Sequence, residues 1–372
     1  MVNNIEKLYQ QGQSIWCDNL SRAMIASGEL ERLIGLGVVG ITSNPTIFMK
    51  AITGSNDYDD VLQKLLTGRR DVMTLYEGLV LPDIADATDA LRPVYDKTKG
   101  VDGYVSLEVS PRLAYDTRGT IAEARRLFAE LNRPNVFIKV PATQEGIPAI
   151  ETLIAEGVNV NVTLIFGLSV YQRVMQAYLA GLRRLDAAGG VVSKVASVAS
   201  FFVSRIDTLV DRMLADRQED GAHVRGLFGQ AAIANAKLAY ARFERVFGAD
   251  GPFAPLAARG AMVQRPLWAS TSTKNPDYPD TMYLDELVAP RSVNTLPPAT
   301  IEATLDHGRT KVSIYDDLEG SRRVFERLAG LGIDIDEVTE KLRADGVSLF
   351  AQSFEELLGN LEQKRELLSA AR

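Results

Sequence analysis

The sequence predicts an α/β fold, a (β/α)8 TIM barrel with extra helices. Eight short apolar runs rich in β-branched residues alternate with longer segments of helical pattern. Most of these runs lack polar alternation, which is typical of strands buried on both faces. Strands that alternate with helices form parallel βαβ units, and 372 residues leave room for the ~250 that an eightfold barrel needs. A doubly wound open sheet is the alternative. No G-x-G-x-x-G motif opens a helix after the first strand, which weakens the dinucleotide-binding form of that alternative.

The predicted strands follow one another along most of the chain. They cover residues 14–17, 38–42, 104–109, 136–140, 158–164, 195–201, 267–270 and 292–296. Residues 120–123 (Thr-Ile-Ala-Glu) and 169–172 (Ser-Val-Tyr-Gln) fit the capping-box pattern and predict helix starts, and residues 204–207 (Ser-Arg-Ile-Asp) are a weaker variant. Gly35 and Gly37 predict the end of the helix before the second strand, and Gly157 does so before the fifth.

We expect residues 1–372 to form a single barrel domain with two helical additions. One is an insertion at about 54–100, between the second and third strands, and the other is a C-terminal extension at about 300–372. Residues 347–358 have an amphipathic helical pattern. Its apolar side holds Leu349, Phe350, Phe354, Leu357 and Leu358. This side can pack on the barrel or cover its mouth.

The composition excludes several classes of function. The single cysteine allows no internal disulfide or cysteine cluster, and only two histidines are present, His223 and His307, both in polar, loop-like surroundings. A net charge of −7 argues against non-specific nucleic-acid binding. The chain has no apolar run of membrane-spanning length and no apolar core of a signal peptide near its start. We therefore expect a cytoplasmic protein without a cysteine cluster or a histidine-rich metal site, whose acid–base chemistry uses mainly carboxylates, lysine or hydroxyls.

Polar residues recur at the carboxyl ends of the predicted strands. In a barrel these ends meet on one face, where the active sites of such enzymes lie. From the first strand to the seventh, these candidates are Asp18, Asn44, Glu108, Lys139, Asn161, Thr163, Ser200, Arg205, Ser270 and Lys274.

Each of the main candidates also has a plain structural explanation. Lys139 can simply reach solvent from the end of its apolar strand, whereas an amine in a dry site is a nucleophile for a carbonyl carbon. Asp18 and Glu108 can be proton carriers, or a helix cap and a surface carboxylate. Asn44 stands before a proline and can serve turn chemistry. Asn161 lies inside an apolar strand, so we expect its amide to bond a neighbour or a ligand, since an unpaired buried amide costs ~1–3 kcal/mol.

Four segments resemble the signatures of the transaldolase family, which belongs to the Schiff-base aldolases. The chain most resembles the longer bacterial members of this family. They are residues 40–48 (Gly-Ile-Thr-Ser-Asn-Pro-Thr-Ile-Phe), 138–147 (Ile-Lys-Val-Pro-Ala-Thr-Gln-Glu-Gly-Ile), 161–166 (Asn-Val-Thr-Leu-Ile-Phe) and 200–207 (Ser-Phe-Phe-Val-Ser-Arg-Ile-Asp). The resemblance covers most of the chain. It implies transfer of a dihydroxyacetone unit from sedoheptulose 7-phosphate or fructose 6-phosphate to glyceraldehyde 3-phosphate or erythrose 4-phosphate, a step of the non-oxidative pentose phosphate pathway.

The resemblance also implies roles for the candidate residues. Lys139 would form the Schiff base and Asp18 would take the proton of the C4 hydroxyl. Glu108 and Thr163 would handle a catalytic water. Asn44 and Asn161 would hold the dihydroxyacetone fragment by hydrogen bonds, and Ser200 would also line the site. Arg205 would bind the phosphate, and Ser270 matches the serine that relatives carry after the seventh strand. No cofactor is implied, and a monomer and a homodimer both remain open.

Two positions bear on the details of the reaction. Many relatives carry an arginine after the seventh strand as a second phosphate ligand, and here Lys274 is the nearest cation. Phe202 stands where related free aldolases are expected to carry a tyrosine, which favours group transfer. The alternatives are a free fructose 6-phosphate aldolase that releases dihydroxyacetone, and a non-catalytic sugar-phosphate-binding barrel.

Overall fold

Eight parallel strands pair in chain order in the computed structural model, and the last strand pairs with the first. The sheet therefore closes into a barrel, which confirms the predicted fold class and excludes the open sheet. The structure describes residues 2–66, 71–217, 224 and 226–370. The strands are β1 (Gln13–Cys17), β2 (Gly40–Thr42), β3 (Tyr104–Glu108), β4 (Val136–Pro141), β5 (Val160–Ile165), β6 (Ser197–Phe202), β7 (Arg265–Ala269) and β8 (Ser292–Leu296).

Helices surround the barrel and connect its strands. Within the described residues they are α1 (Asn4–Gln10), α2 (Arg22–Ala26), α3 (Glu29–Gly35), α4 (Pro45–Thr53), α5 (Asp59–Leu65), α6 (Val72–Lys97), α7 (Thr117–Leu131), α8 (Gly146–Ala155), α9 (Leu168–Ala187), α10 (Ser204–Ala215), α11 (Ala231–Phe247), α12 (Ala254–Ala257), α13 (Met282–Glu286), α14 (Pro298–His307), α15 (Leu318–Gly330) and α16 (Ile335–Ala370). Two short 3-10 turns, Pro111–Leu113 and Val192–Lys194, precede α7 and β6. In the segment 54–100, α5 and α6 are helical, and residues 67–70 lie outside the described residues.

The predicted helix ends are correct and the predicted capping boxes are not. Gly37 and Gly157 follow α3 and α8 with φ of 98° and 83°, values that glycine adopts without strain. The helix predicted to start at residue 120 begins one turn earlier, because the Asp116 side chain accepts a hydrogen bond from the backbone N–H of Gly119. The Thr120 hydroxyl instead donates to the carbonyl of Leu113. The helices at 169 and 204 begin without any side-chain cap.

The last helix, α16, lies across the carboxyl ends of the strands. It contacts α4, α6 and α10 and reaches β5. Its predicted apolar side is buried at Phe350, Phe354, Leu357 and Leu358. Leu349 differs, because it is 44% exposed and lies at the mouth of the barrel instead of inside the core. The C-terminal helix therefore forms part of the wall above the strand ends. This agrees with the predicted placement at the mouth of the barrel.

A buried polar network lies at the opposite end of the barrel. Arg265 at the start of β7 donates to the Ser14 hydroxyl at 2.8 Å and to Asp102 Oδ1 at 2.9 Å. The Ser14 hydroxyl donates to the second oxygen of the Asp102 carboxylate at 2.9 Å. Each charge in this network is paired and hydrogen-bonded, which is the condition under which a charged group can be buried.

No helix in the described part of the chain is long and apolar enough to cross a membrane.

Candidate active site

A cavity of about 390 Å³ opens at the carboxyl ends of the strands. Its walls come from seven of the eight strand ends or the segments that follow them, from α4 and from α16. The lining residues are Asp18, Thr42, Asn44, Thr46, Ile47, Lys50, Lys139, Thr163, Ser200, Phe202, Arg205, Ala269, Ser270, Ser272, Lys274, Thr295, Pro297, Leu349 and Phe350. Eight of the ten predicted site residues lie in this lining, and Glu108 and Asn161 lie behind it.

Lys139 lies in the floor of the cavity, and its side chain is 6% exposed. Its amine donates a hydrogen bond to the carbonyl of Ser43 at 2.9 Å and lies 3.6 Å from Glu108 Oε2. In the barrel register Glu108, Lys139 and Asn161 are direct partners on β3, β4 and β5. The amine is therefore buried and oriented, and it does not reach solvent as a lysine at an exposed strand end would.

Two buried polar atoms beside the lysine lack hydrogen-bond partners within the described chain. They are Glu108 Oε2 and Thr163 Oγ1. Burial raises the pKa of the Glu108 carboxyl above its usual range, while the positive charge of Lys139 opposes that rise. Buried polar atoms normally find a partner in protein, water or ligand. A carboxyl that can hold a proton and a hydroxyl therefore flank the amine, both available to a water molecule or a substrate.

Asp18 lies directly after β1, and a chain of hydroxyls fixes its position. Thr42 Oγ1 donates to Asp18 Oδ1 at 2.7 Å, and Thr295 Oγ1 lies 2.7 Å from Thr42 Oγ1. Burial raises the pKa of the Asp18 carboxyl, and the hydrogen bond from Thr42 and the nearby cations act in the opposite direction. Asp18 is thus a positioned carboxylate in the cavity wall and not a helix cap.

Asn161 on β5 makes both of its amide contacts with other strands, β3 and β6. Its Nδ2 donates to Ser106 Oγ at 3.0 Å, and its Oδ1 accepts from the Ser200 hydroxyl at 2.7 Å. The expectation that this buried amide needs a partner is met by protein groups. Ser200 lines the cavity and Asn161 supports it from below.

Asn44 combines a structural role with access to the cavity. It is the N-cap of α4, and its Oδ1 accepts from the backbone N–H of Ile47 at 3.0 Å. Its side chain also lines the cavity. Since capping uses only the oxygen, the amide nitrogen is left as a donor for a ligand.

Arg205 presents a guanidinium that lies between aromatic rings. Its central carbon is 5.4 Å from the centre of the Phe202 ring and 6.0 Å from that of Phe350. Burial lowers the pKa of the guanidinium, and the Asp18 carboxylate opposes this effect. A cation that is held by rings and has no carboxylate partner within the described chain is suited to bind an anion.

Ser270 and Lys274 follow β7 on the same side of the cavity. Ser270 has a φ of 56°, its hydroxyl lies 3.0 Å from that of Ser204, and its carbonyl accepts from the Ser204 backbone N–H. The Lys274 amine contacts the Ser272 hydroxyl. Burial lowers the pKa of Lys274, and the positive charges of Arg205 and Lys50 lower it further. A left-handed serine is a strained conformation, and such strain collects at functional sites.

Sequence reasoning missed three contributors to this site. Thr42 and Thr295 hold Asp18, and the pattern that could have revealed them is their place at the ends of β2 and β8. Lys50 is on a helix instead of a strand end, so the search of strand ends passed over it. Its signal is helical spacing, because Thr46, Ile47 and Lys50 lie on one face of α4 and all three line the cavity.

The histidines lie away from the cavity where the structure describes them. His307 is the last residue of α14, not a loop residue, and hydrogen bonds with Asp280 and Asp306 raise its pKa to about 9. His223 lies outside the described residues. No group of three or more histidine, cysteine, aspartate or glutamate side chains that could hold a metal ion occurs in the described part of the chain.

Asp207, on the helix that carries Arg205, is expected to make stability depend on pH. Its carboxylate accepts from the Ala232 backbone N–H at 2.8 Å and from the Tyr283 hydroxyl at 2.9 Å, and burial raises its pKa to about 7. The unfolded chain has the ordinary lower pKa, so the folded state loses stability as pH rises from about 4 to about 7. Asp207→Asn has no carboxyl to titrate, so it does not lose this stability. The difference in free energy of unfolding between the variant and the wild type should therefore shift in favour of the variant by ~2–3 kcal/mol as the pH rises from about 5 to about 8.

Urea denaturation at each pH measures this difference. Asp250→Asn is the matched control, because Asp250 is an exposed carboxylate in a loop. Its difference from the wild type shows how much of any change comes simply from removing a carboxylate. Parallel stability curves for the wild type and Asp207→Asn would contradict the assignment.

The geometry defines a class of protein. A closed barrel holds a buried amine beside a carboxyl, a second positioned carboxylate and a set of cations around one cavity. This is the arrangement of a (β/α)8 barrel with a candidate active site suited to a small anionic ligand.

Comparisons with known proteins identify the family. The profile described as "Transaldolase/Fructose-6-phosphate aldolase" matches residues 15–361. A transaldolase of Frankia alni is 48% identical over 98% of this chain and 98% of its own. A transaldolase of Saccharopolyspora erythraea is 49% identical over 97% of this chain and 98% of its own, and one of Trichodesmium erythraeum is 44% identical over 99% of each. The chain therefore belongs to the transaldolase/fructose-6-phosphate aldolase family and is an enzyme of the transaldolase type.

Proposed function

We propose that this enzyme transfers a dihydroxyacetone unit from sedoheptulose 7-phosphate or fructose 6-phosphate to glyceraldehyde 3-phosphate or erythrose 4-phosphate. The transfer proceeds through a Schiff base on Lys139, as a step of the non-oxidative pentose phosphate pathway. The observation that carries the proposal is the buried Lys139 amine in the cavity floor, 3.6 Å from Glu108 Oε2.

Schiff-base formation needs a neutral amine and the removal of one water. Glu108 is close enough to take a proton from the Lys139 amine, directly or through a water, and its raised pKa lets it hold that proton. The amine then adds to the C2 carbonyl of the ketose. The carbinolamine hydroxyl leaves as water once it accepts a proton from Glu108, and the unpartnered Thr163 hydroxyl orients that water.

Cleavage of the donor uses the second carboxylate. Asp18 takes the proton of the C4 hydroxyl, the C3–C4 bond breaks, and its electron pair moves to the imine nitrogen to give an enamine. Thr42 holds Asp18 Oδ1, so the other carboxylate oxygen is left for the substrate. The reverse sequence adds the enamine to the incoming aldose, and Asp18 returns its proton to the new hydroxyl.

Binding of the two ends of the sugar divides between the two sides of the cavity. The Asn44 amide and the Ser200 hydroxyl, supported by Asn161, bind the hydroxyls of the dihydroxyacetone fragment. Arg205 binds the phosphate, and Ser270 and Lys274 line the same side. An arginine forms two parallel hydrogen bonds to phosphate oxygens, whereas a lysine acts as a point charge.

Features of the wall favour transfer over release of free dihydroxyacetone. The enamine must survive until an aldose arrives, and a covered site keeps water from protonating it. Phe350 and Leu349 of α16 and Phe202 of β6 are the largest apolar residues at the wall of the cavity, with Ile47, Ala269 and Pro297 beside them in the lining. Phe202 offers no hydroxyl at a position where a proton donor would promote release.

Borohydride trapping tests the proposed function. Reduction in the presence of fructose 6-phosphate converts the imine to a stable secondary amine, and peptide mapping is expected to find the adduct on Lys139. Absence of an adduct at this residue would show that the mechanism is wrong. Product analysis with and without erythrose 4-phosphate distinguishes the alternatives, because a free aldolase releases dihydroxyacetone at a comparable rate without an acceptor.

We also propose that residues 1–372 form one barrel domain, that the enzyme is cytoplasmic, and that it is a monomer or a homodimer. The proposed substrates are metabolites of the cytoplasm, which supports the location. Light scattering coupled to size-exclusion chromatography compares the solution mass with the 40.7 kDa of one chain.

A further inference from the structure

The cavity is lined by three cations that form no ion pair with a carboxylate of the described chain, Lys50, Arg205 and Lys274. Asp18 is the one carboxylate among the described lining residues. The chain as a whole has a net charge of −7. A local excess of positive charge on an acidic protein marks the place where an anion binds.

Lys50 belongs to this set by geometry. It lies in the last turn of α4, six residues after the N-cap Asn44. Thr46 and Ile47, one turn earlier on the same face, also line the cavity, and the Thr46 hydroxyl donates to Ser353 of α16 at 2.9 Å. The helix is therefore fixed at both its start and its side, and Lys50 lines the cavity from this fixed helix.

The charge of Lys50 acts on the far wall of the cavity. Lys50 and Lys274, which follows β7, both line the cavity, and the positive charge of Lys50 contributes, after burial and Arg205, to lowering the pKa of Lys274. Neither Lys50 nor Arg205 forms an ion pair or a side-chain hydrogen bond with another described residue. Like charges without partners raise the energy of the free enzyme, and a bound dianion relieves that repulsion.

We propose that Lys50 is a third phosphate ligand, beside Arg205 and Lys274. This inference rests on the proposed function and names the residues that select a phosphorylated aldose. The guanidinium of Arg205 offers a rigid, planar set of donors, and the two lysines add flexible point charges. The ligand recognised is the terminal phosphate dianion of a short aldose or ketose.

Four variants test this assignment. Lys50→Met, Lys274→Met and the charge-retaining Lys50→Arg are compared with Lys194→Met, which removes a lysine before β6 at the opposite end of the barrel. With saturating donor, kcat/KM is measured for erythrose 4-phosphate and for unphosphorylated erythrose. The inhibition constant of inorganic phosphate is measured in parallel.

The expected result is a loss of selectivity for the phosphate. Lys50→Met lowers the ratio of kcat/KM for the phosphorylated over the unphosphorylated aldose by about 10-fold and weakens phosphate inhibition similarly. The change in the ratio should come mainly from KM. Lys50→Arg should keep most of the wild-type ratio, and Lys194→Met should leave the ratio unchanged. Lys50 makes no structural contact through its amine, so its variants should melt near the wild-type temperature.

The inference would be overturned if Lys50→Met had the same ratio of kcat/KM for phosphorylated over unphosphorylated aldose as the wild type. The proposed function fails separately, because its test is the borohydride adduct at Lys139 in the wild type. An adduct at Lys139 together with unchanged phosphate selectivity removes Lys50 from the site and leaves the Schiff-base mechanism in place.

Discussion

Replacing Lys139 by methionine is expected to lower kcat for dihydroxyacetone transfer by at least ~10⁴-fold. The variant has no amine to form the imine, so the electron sink for C3–C4 cleavage is lost. Methionine keeps the unbranched shape of the lysine stem within the apolar strand β4. The loss should therefore appear in kcat for every donor and acceptor and should not be restored by higher substrate concentrations.

The chain offers a matched control for this variant. Lys237 on α11 is also a buried lysine with a 6% exposed side chain, and its amine donates to the Asp316 carbonyl at 3.0 Å and lies 3.4 Å from Glu286. It does not line the cavity. Lys237→Met removes the same kind of group, so it should lower the free energy of unfolding while kcat stays near the wild-type value. More than about 1% of wild-type turnover in Lys139→Met would contradict the assignment.

Asp18→Asn is expected to stop the reaction one step later. Asparagine keeps an oxygen that accepts from Thr42 but cannot take the proton of the C4 hydroxyl, so kcat should fall by ~10²–10⁴-fold. Imine formation does not use Asp18. Borohydride should therefore still trap fructose 6-phosphate on Lys139, and the mass of the adduct should be that of the intact ketose.

The pH profile gives a second signature of Asp18. A general base acts in its ionised form, so activity falls as pH drops through its pKa, which burial raises above the usual value for aspartate. The acidic limb of the kcat/KM profile should be lost in Asp18→Asn. Asp207→Asn is the control, since Asp207 is a buried carboxylate outside the cavity, and its profile should keep that limb. Failure to trap the ketose in Asp18→Asn would place Asp18 in an earlier step.

The sequence was sufficient to predict the barrel and most of the site because both follow from strand order. A parallel barrel brings the carboxyl ends of all its strands to one face, so Asp18, Lys139 and Thr163 meet although they are far apart in the chain. No knowledge of side-chain packing is needed for this step. Residues at strand ends are for this reason the most predictable part of such a site.

Contributions from helices were less predictable, because their orientation depends on tertiary packing. Lys50 is the sixth residue of α4. Which way it faces depends on how α4 packs against α16. Leu349 fits the apolar pattern of its helix and yet lies at the mouth, since α16 turns that edge away from the core. Thr120 matches a capping pattern, but Asp116 offers the stronger acceptor one turn earlier.

The Arg265–Asp102–Ser14 network has a consequence for the order of events. Because its paired and buried charges lie at the amino-terminal end of the barrel and the reactive lysine lines a cavity at the carboxyl end, we expect the first aldose product and the second aldose substrate to share the passage at the carboxyl end. They must use it in turn, with the three-carbon unit waiting on the enzyme in between. Steady-state velocities should therefore form parallel lines in double-reciprocal plots, the pattern of ping-pong kinetics. A high concentration of the acceptor should compete with the donor for the free enzyme, so the ratio of the two sugars sets the direction of flow.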